Sequence, residues 1–144
     1  MNTITPSLNF IINISKFHSI LSRRFDSWLW GLGLTEFLIL YRLSESKDWK
    51  MKRIDLANKI WLTASWITRI LLPMEKIWLV SKEKHESDAR ISLVSIAPGW
   101  KTKLEEALER AELICLDNIW ADKDEKIKEF SEMLNGLGWK FLWN

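Results

Sequence analysis

The chain has 144 residues, 47% of them apolar and 28% charged, with a formal net charge of +2. That is enough for one domain with a real core and short of two comfortable ones. No apolar run approaches the roughly 20 residues that span a bilayer, the N-terminus lacks the basic start and cleavage site of a signal peptide, and a single cysteine leaves no intrachain disulfide, so a cytoplasmic protein is expected.

In chain order, Asn9 to Phe25 carries Phe10, Ile14, Phe17, Leu21 and Phe25 at helical spacing, the stripe of a first helix. "WLWGLGL" interrupts it, and Thr35 then offers an N-cap oxygen ahead of a short, apolar second helix, "EFLILYRL". "SESKDWK" reads as a polar turn. Arg53–Lys59 is expected as a third helix, and Ala64–Ile77 as a fourth with Thr63 as its N-cap. Leu79–Glu86 and Ile91–Ile96 read as two strands joined by the hairpin-like "HESDAR", because "SLVSI" alternates as a half-buried strand should. Lys101–Leu116 is a fifth helix with Leu104, Leu108, Ala111 and Cys115 on one face. Asp122 and Glu125 resemble a capping box opening a last helix striped by Ile127, Phe130, Leu134 and Leu137. The expected fold is mainly α with a small β wing.

The middle of the chain carries the chemistry. A helix-turn-helix needs two short helices crossing steeply over a tight turn. Ala57 is the small residue that lets the second helix approach, and Leu56, Ile60, Leu62, Ile67 and Ile70 supply the apolar seam. The turn wants positive φ four residues after the alanine, at position 61, a conformation that glycine takes without steric cost. Two strands directly after the second helix make a wing. In such a unit the second helix enters the major groove with its N-terminal residues toward base edges. Those are Thr63, Ala64, Ser65, Thr68 and Arg69 here. Arg69 can give two parallel hydrogen bonds to guanine, while capping is the more economical role for Thr63. The wing offers Lys82, Lys84, His85 and Arg90. The Arg90 guanidinium suits a narrow minor groove, with Asp88 placed to hold it by an ion pair. Charge agrees with this: Lys50 to Arg90 holds nine Lys/Arg against five Asp/Glu, whereas Lys101 to Glu132 holds six against ten. A basic centre of this kind suits a polyanion.

These residues carry a family likeness. "LTEFLILYRL", "LTASWITRILLPMEKIWLV" followed by "DAR", and the two closing helices resemble the multiple antibiotic resistance regulator (MarR) family of bacterial transcription factors over nearly the whole chain. The resemblance implies a winged helix-turn-helix (35–96) between dimerisation helices (9–28 and 98–142), a homodimer on successive major grooves of double-stranded DNA, and a repressor answering a small aromatic effector. The stripes on the first, fifth and last helices support the dimer independently, since one small domain cannot easily cover them all.

One departure from the family pattern stands out. The chain has ten tryptophans and five glycines, where ordinary usage near 7% predicts about ten glycines. Trp61, Trp66, Trp78, Trp49, Trp100 and Trp139 all stand where the family has glycine. Trp61 is the helix-turn-helix turn, Trp78 follows the recognition helix where a left-handed cap belongs, and Trp49 follows Asp48 as in an Asp-Gly turn. An L-residue at positive φ costs roughly 1–2 kcal/mol. Either the tryptophans serve a purpose, such as ligand binding or base stacking, or the gene reads UGA, one base from GGA, as glycine and translation by another code writes tryptophan. The shortage of glycine favours the second.

Other chemistry is sparse. Cys115 reads as packing near the dimer interface, without a helper to lower its pKa. His18 and His85 are far apart, no cluster has zinc spacing, and neither a nucleophile motif nor a phosphate loop is present. No catalytic residue, metal or cofactor is expected. The competing expectation is a winged-helix module that binds a protein partner without specific DNA binding.

Overall fold

The computed structural model describes residues 3–119 and 123–143. Its elements are α1 (Pro6–Trp28), α2 (Leu34–Ser44), β1 (Lys50–Lys52), α3 (Arg53–Lys59), α4 (Ala64–Lys76), β2 (Val80–Lys84), β3 (Ser92–Ile96), α5 (Lys101–Asn118) and α6 (Asp124–Trp143). The chain divides into two compact units, residues 1–110 and 111–144.

Local chemistry sets most of the boundaries. α1 starts three residues earlier than the apolar stripe suggests, because the Thr5 hydroxyl accepts from the Leu8 amide at 3.2 Å and Pro6 occupies the first turn, where a missing N–H costs nothing. α2 also begins earlier than expected, with Gly33 as N-cap in place of Thr35. The Glu36 carboxylate folds back over Gly33 into the space a Cβ would fill, so Thr35 lies inside the first turn. α4 keeps the expected cap: Thr63 Oγ1 accepts from the Trp66 amide at 3.2 Å. α6 opens with Asp124 and Glu125 in its first turn, where acidic groups meet the positive helix end. Asp122 lies outside the described residues.

The sheet has one strand more than expected. Lys50–Lys52 pairs antiparallel with β3, Met51 facing Val94, and β3 pairs antiparallel with β2, Lys82 facing Val94, giving the order β1-β3-β2. Three residues are too few to show alternation, and Lys50 also closes what reads as a turn, so "KMK" gives no strand signal of its own. Lys50 reaches across β3 to Glu83 at 3.4 Å, and Ser95 joins the same carboxylate.

The core of the first unit gathers Ile39, Leu40 and Leu43 of α2, Leu56 and Ala57 of α3, Ile67, Leu71 and Met74 of α4, Val80 and Val94 of the sheet, and Leu104 of α5, all buried. α1 buries none of its residues, and Phe17 is 59% exposed. In the second unit none of residues 124–142 is buried, and Phe130, Met133, Trp139, Phe141 and Leu142 are exposed. Among the described residues no helix is long and apolar enough to cross a membrane.

Candidate nucleic-acid interface

Three buried residues of α4 fix which way its other residues point. Ile67, Leu71 and Met74 face the core, so the opposite side of the same helix carries Ser65, Trp66 and Arg69 outward. Ala57 is buried in α3 at the crossing, where any larger side chain would hold the two helices apart. The turn between them takes the expected course, with residue 61 at φ +61°. The chain leaves α3 through two bonds, from the Trp61 amide to the Asn58 carbonyl (3.3 Å) and from the Leu62 amide to the Ala57 carbonyl (3.0 Å).

The predicted contact residues divide by what already holds them. Ser65 and Arg69 are exposed one helical turn apart, Ser65 Oγ lying 3.2 Å from Thr63 Oγ1. Thr63 is engaged in capping, as its sequence context suggests. The Thr68 hydroxyl donates to the Ala64 carbonyl at 2.9 Å and accepts from Arg53 Nη1 at 2.5 Å. Its donor is therefore turned into the helix, and its acceptor is taken by the Arg53 guanidinium. Arg53 was not among the expected site residues. The signal for it was a cation in the first turn of α3, ambiguous without knowing that α4 passes beside it. The Arg69 guanidinium sits over the Trp66 ring, 6.0 Å from its centroid.

In the wing, Lys82 Nζ lies 3.1 Å from Glu75 Oε1, tying β2 to α4 and neutralising part of its own charge. Lys84 at the end of β2 is exposed. Asp88 and Arg90 pair as expected: the Asp88 carboxylate accepts from the Arg90 amide (2.9 Å) and from its Nε (3.2 Å) and Nη2 (3.4 Å), while the arginine side chain stays 91% exposed. The backbone hydrogen bond first, then the guanidinium, and lastly the nearby His85 hold the Asp88 carboxyl below the usual carboxylate range. His85 accepts from the Ser87 amide at 3.2 Å through Nδ1, so the wing tip is a built turn. Ser65 and Arg69 on α4 and Arg90 on the wing are thus a set of exposed hydrogen-bonding and cationic groups on rigid supports.

A separate cleft of about 260 Å³ lies where α1 ends and α5 begins, lined by Leu29, Trp30, Leu32, Trp100, Lys103, Glu106 and Ala107. Apolar walls with one cation and one carboxylate suit a small, largely apolar molecule with a polar end. Cys115 is exposed, and partial burial of its sulfur, followed by the Glu112 carboxylate, pushes the thiol pKa up. Among the described residues no group of three His, Cys, Asp or Glu side chains is placed to hold a metal ion.

Comparisons bear on this arrangement. Residues 32–92 match the sequence model of the MarR family. No match was found among curated protein sequences. Among solved structures, the chain is similar to AbsC, a MarR family transcriptional regulator from Streptomyces coelicolor, at 20% identity and TM-score 0.81, covering 100% of both chains. It is similar to reduced AbfR bound to DNA at 18% identity and TM-score 0.78, covering 94% of each chain. It is similar to an organohalide-sensing transcriptional regulator in a 2,4-dichlorophenol-bound form at 20% identity and TM-score 0.83, covering 94% of this chain and 80% of that one. Residues 32–92 thus match the MarR family model, and the chain has the winged-helix fold seen in these solved regulators.

Proposed function

We propose that this protein is a cytoplasmic, sequence-specific double-stranded-DNA-binding transcriptional regulator that acts as a homodimer and represses its target genes. The observation that carries the reading is the division of α4. Its Ile67, Leu71 and Met74 are buried while Ser65 and Arg69 are exposed, which is the orientation a recognition helix needs to reach base edges. In this reading Ser65 and Arg69 read bases, Thr63 and Thr68 set the helix end, Lys82 and Lys84 approach phosphates, and Arg90, held by Asp88, enters the minor groove. Residues 35–96 form the reading head, and the helices within 9–28 and 98–142 join two copies. The apolar side chains that α1, α5 and α6 leave exposed in a single chain support the dimer.

The effector reading rests on the cleft between Leu32 and Trp100. A small phenolic or other aromatic molecule would place its ring against Leu29 and Leu32 and its polar end toward Lys103. That a similar fold has been solved with 2,4-dichlorophenol agrees with this class.

A gel shift against the DNA upstream of the protein's own gene tests the proposal. A retarded band at nanomolar protein, competed poorly by random DNA and weakened steeply by salt as counterions are released, is expected. Equal affinity for random DNA, or none for either, would favour the protein-binding module.

A further inference from the structure

We propose that the polypeptide made in the cell carries glycine, not tryptophan, at positions 30, 49, 61 and 78. Among the described residues the backbone takes positive φ at five non-glycine positions: Trp30 (+54°), Asp48 (+58°), Trp49 (+57°), Trp61 (+61°) and Trp78 (+62°). Aspartate tolerates that region, whereas bulky side chains there are outliers. Four of the five are the same bulky residue, in a chain that holds only five glycines.

The local hydrogen bonding shows what each position is for. α3 and α4 both end in the paired pattern that closes a helix through one left-handed residue. After α3, the Trp61 amide bonds to Asn58 and the Leu62 amide to Ala57. After α4, the Trp78 amide bonds to the Glu75 carbonyl at 3.1 Å and the Leu79 amide to the Met74 carbonyl at 2.9 Å. α1 ends with the Gly31 amide on the Asp26 carbonyl at 2.7 Å, leaving residue 30 as the left-handed link. At 48 and 49 two successive residues are left-handed, the requirement that makes Asp-Gly the preferred sequence of a type I′ turn. These are four separate positions of one kind, the places where a chain uses glycine.

At the helix ends burial offsets little of the cost, and the Lys101 ammonium over the Trp49 ring, 5.1 Å from its centroid, recovers only a small part of it. Trp30, Trp61 and Trp78 are 70%, 56% and 76% exposed, so most of each ring remains in water. Strained residues that serve function gather at one site, and these stand at three helix ends and a turn. Nor can the backbone relax, since Leu79, which follows Trp78, and Met74, its bonding partner, are both buried in the core. A single cause covers all four: UGA codons decoded as glycine by the cell and written as tryptophan by a different code. The inference stands apart from DNA binding. It makes residues 61 and 78 the two glycine swivels that bracket α4.

The test is the gene together with the protein from its native source. UGA at all four codons, and peptides with the mass of glycine at each position, are expected. UGG at any of the four, or a native peptide carrying tryptophan there, overturns the proposal. A recombinant pair gives a second readout. The chain with Trp30→Gly, Trp49→Gly, Trp61→Gly and Trp78→Gly should melt at a higher temperature than the all-tryptophan chain, and failure of the latter alone to fold would count the same way. An unchanged or lower melting temperature for the glycine chain would overturn it too.

Discussion

Arg69 and Lys84 are both exposed cations, yet they sit on different supports and should fail differently when removed. Arg69 lies one turn from Ser65 on the outward side of α4. If it reads a base, Arg69→Ala loses about 1–3 kcal/mol of discrimination and relaxes preference at one base pair. Lys84→Ala should weaken specific and random DNA alike and lower the salt slope by about 1. Titrations of both variants on both DNAs at several salt concentrations decide this, and equal relative losses would remove the assigned roles. The wing gives a pH expectation. Because the folded Asp88 carboxyl lies below its usual range, its pairing with Arg90 is present above the unfolded value, near 3.9, and is lost as pH falls through the lower folded value. Arg90 side-chain resonances should therefore hold still from neutral down to about pH 5 and move only in stronger acid. A change near neutrality would count against control by this carboxyl. Cys115 runs the other way: its raised pKa keeps it a thiol at neutral pH, so alkylation should be slower than that of a free cysteine. Faster reaction would reopen a redox-sensing role.

Among the elements, the crossing of α3 on α4 depends on one small side chain. Ala57→Leu has no room at this buried contact and should lower stability by about 1–3 kcal/mol through overpacking. It should also tilt α4 and weaken DNA binding beyond what the loss of folded protein explains. Denaturant unfolding alongside a binding titration separates the two effects. Undiminished binding by the folded fraction would show that the crossing angle is not critical. This contact could be read from the chain because small-residue spacing and apolar periodicity are local properties. β1 could not: a three-residue strand has no periodicity of its own and exists only because Met51 finds Val94 across the sheet. Likewise the start of α2 at Gly33 rather than Thr35 depends on Glu36 folding back over it, a choice between two adjacent caps that spacing does not make.

For the molecule as a whole, the surplus of apolar surface is the main expectation to test. Phe17 on α1 and Phe130 on α6 are 59% and 45% exposed in the single chain, and such surface outside a core marks an interface. Sedimentation of the unmodified protein should give a dimer. Phe17→Glu or Phe130→Glu should shift it toward monomer and reduce operator affinity by 10²–10⁴-fold as the benefit of two linked heads disappears. A monomeric parent protein, or charged variants that dimerise and bind as before, would exclude these helices as the joint. The basic centre and acidic C-terminal part of the chain were visible at this scale from composition alone, because net charge adds along the sequence.

The order of the helices, the wing, the outward side of α4 and the left-handed positions at 49, 61 and 78 follow from the chain by itself. Each is dictated by residues within a few positions of one another, through helical spacing, caps and the steric demands of a single dihedral. The packed structure alone decided the Arg53 contact with Thr68, the Lys82 contact with Glu75, the short strand β1 and the cleft between Leu32 and Trp100. Those pairings join different elements of the fold, and which side chains meet depends on how closely and at what angle the elements pack.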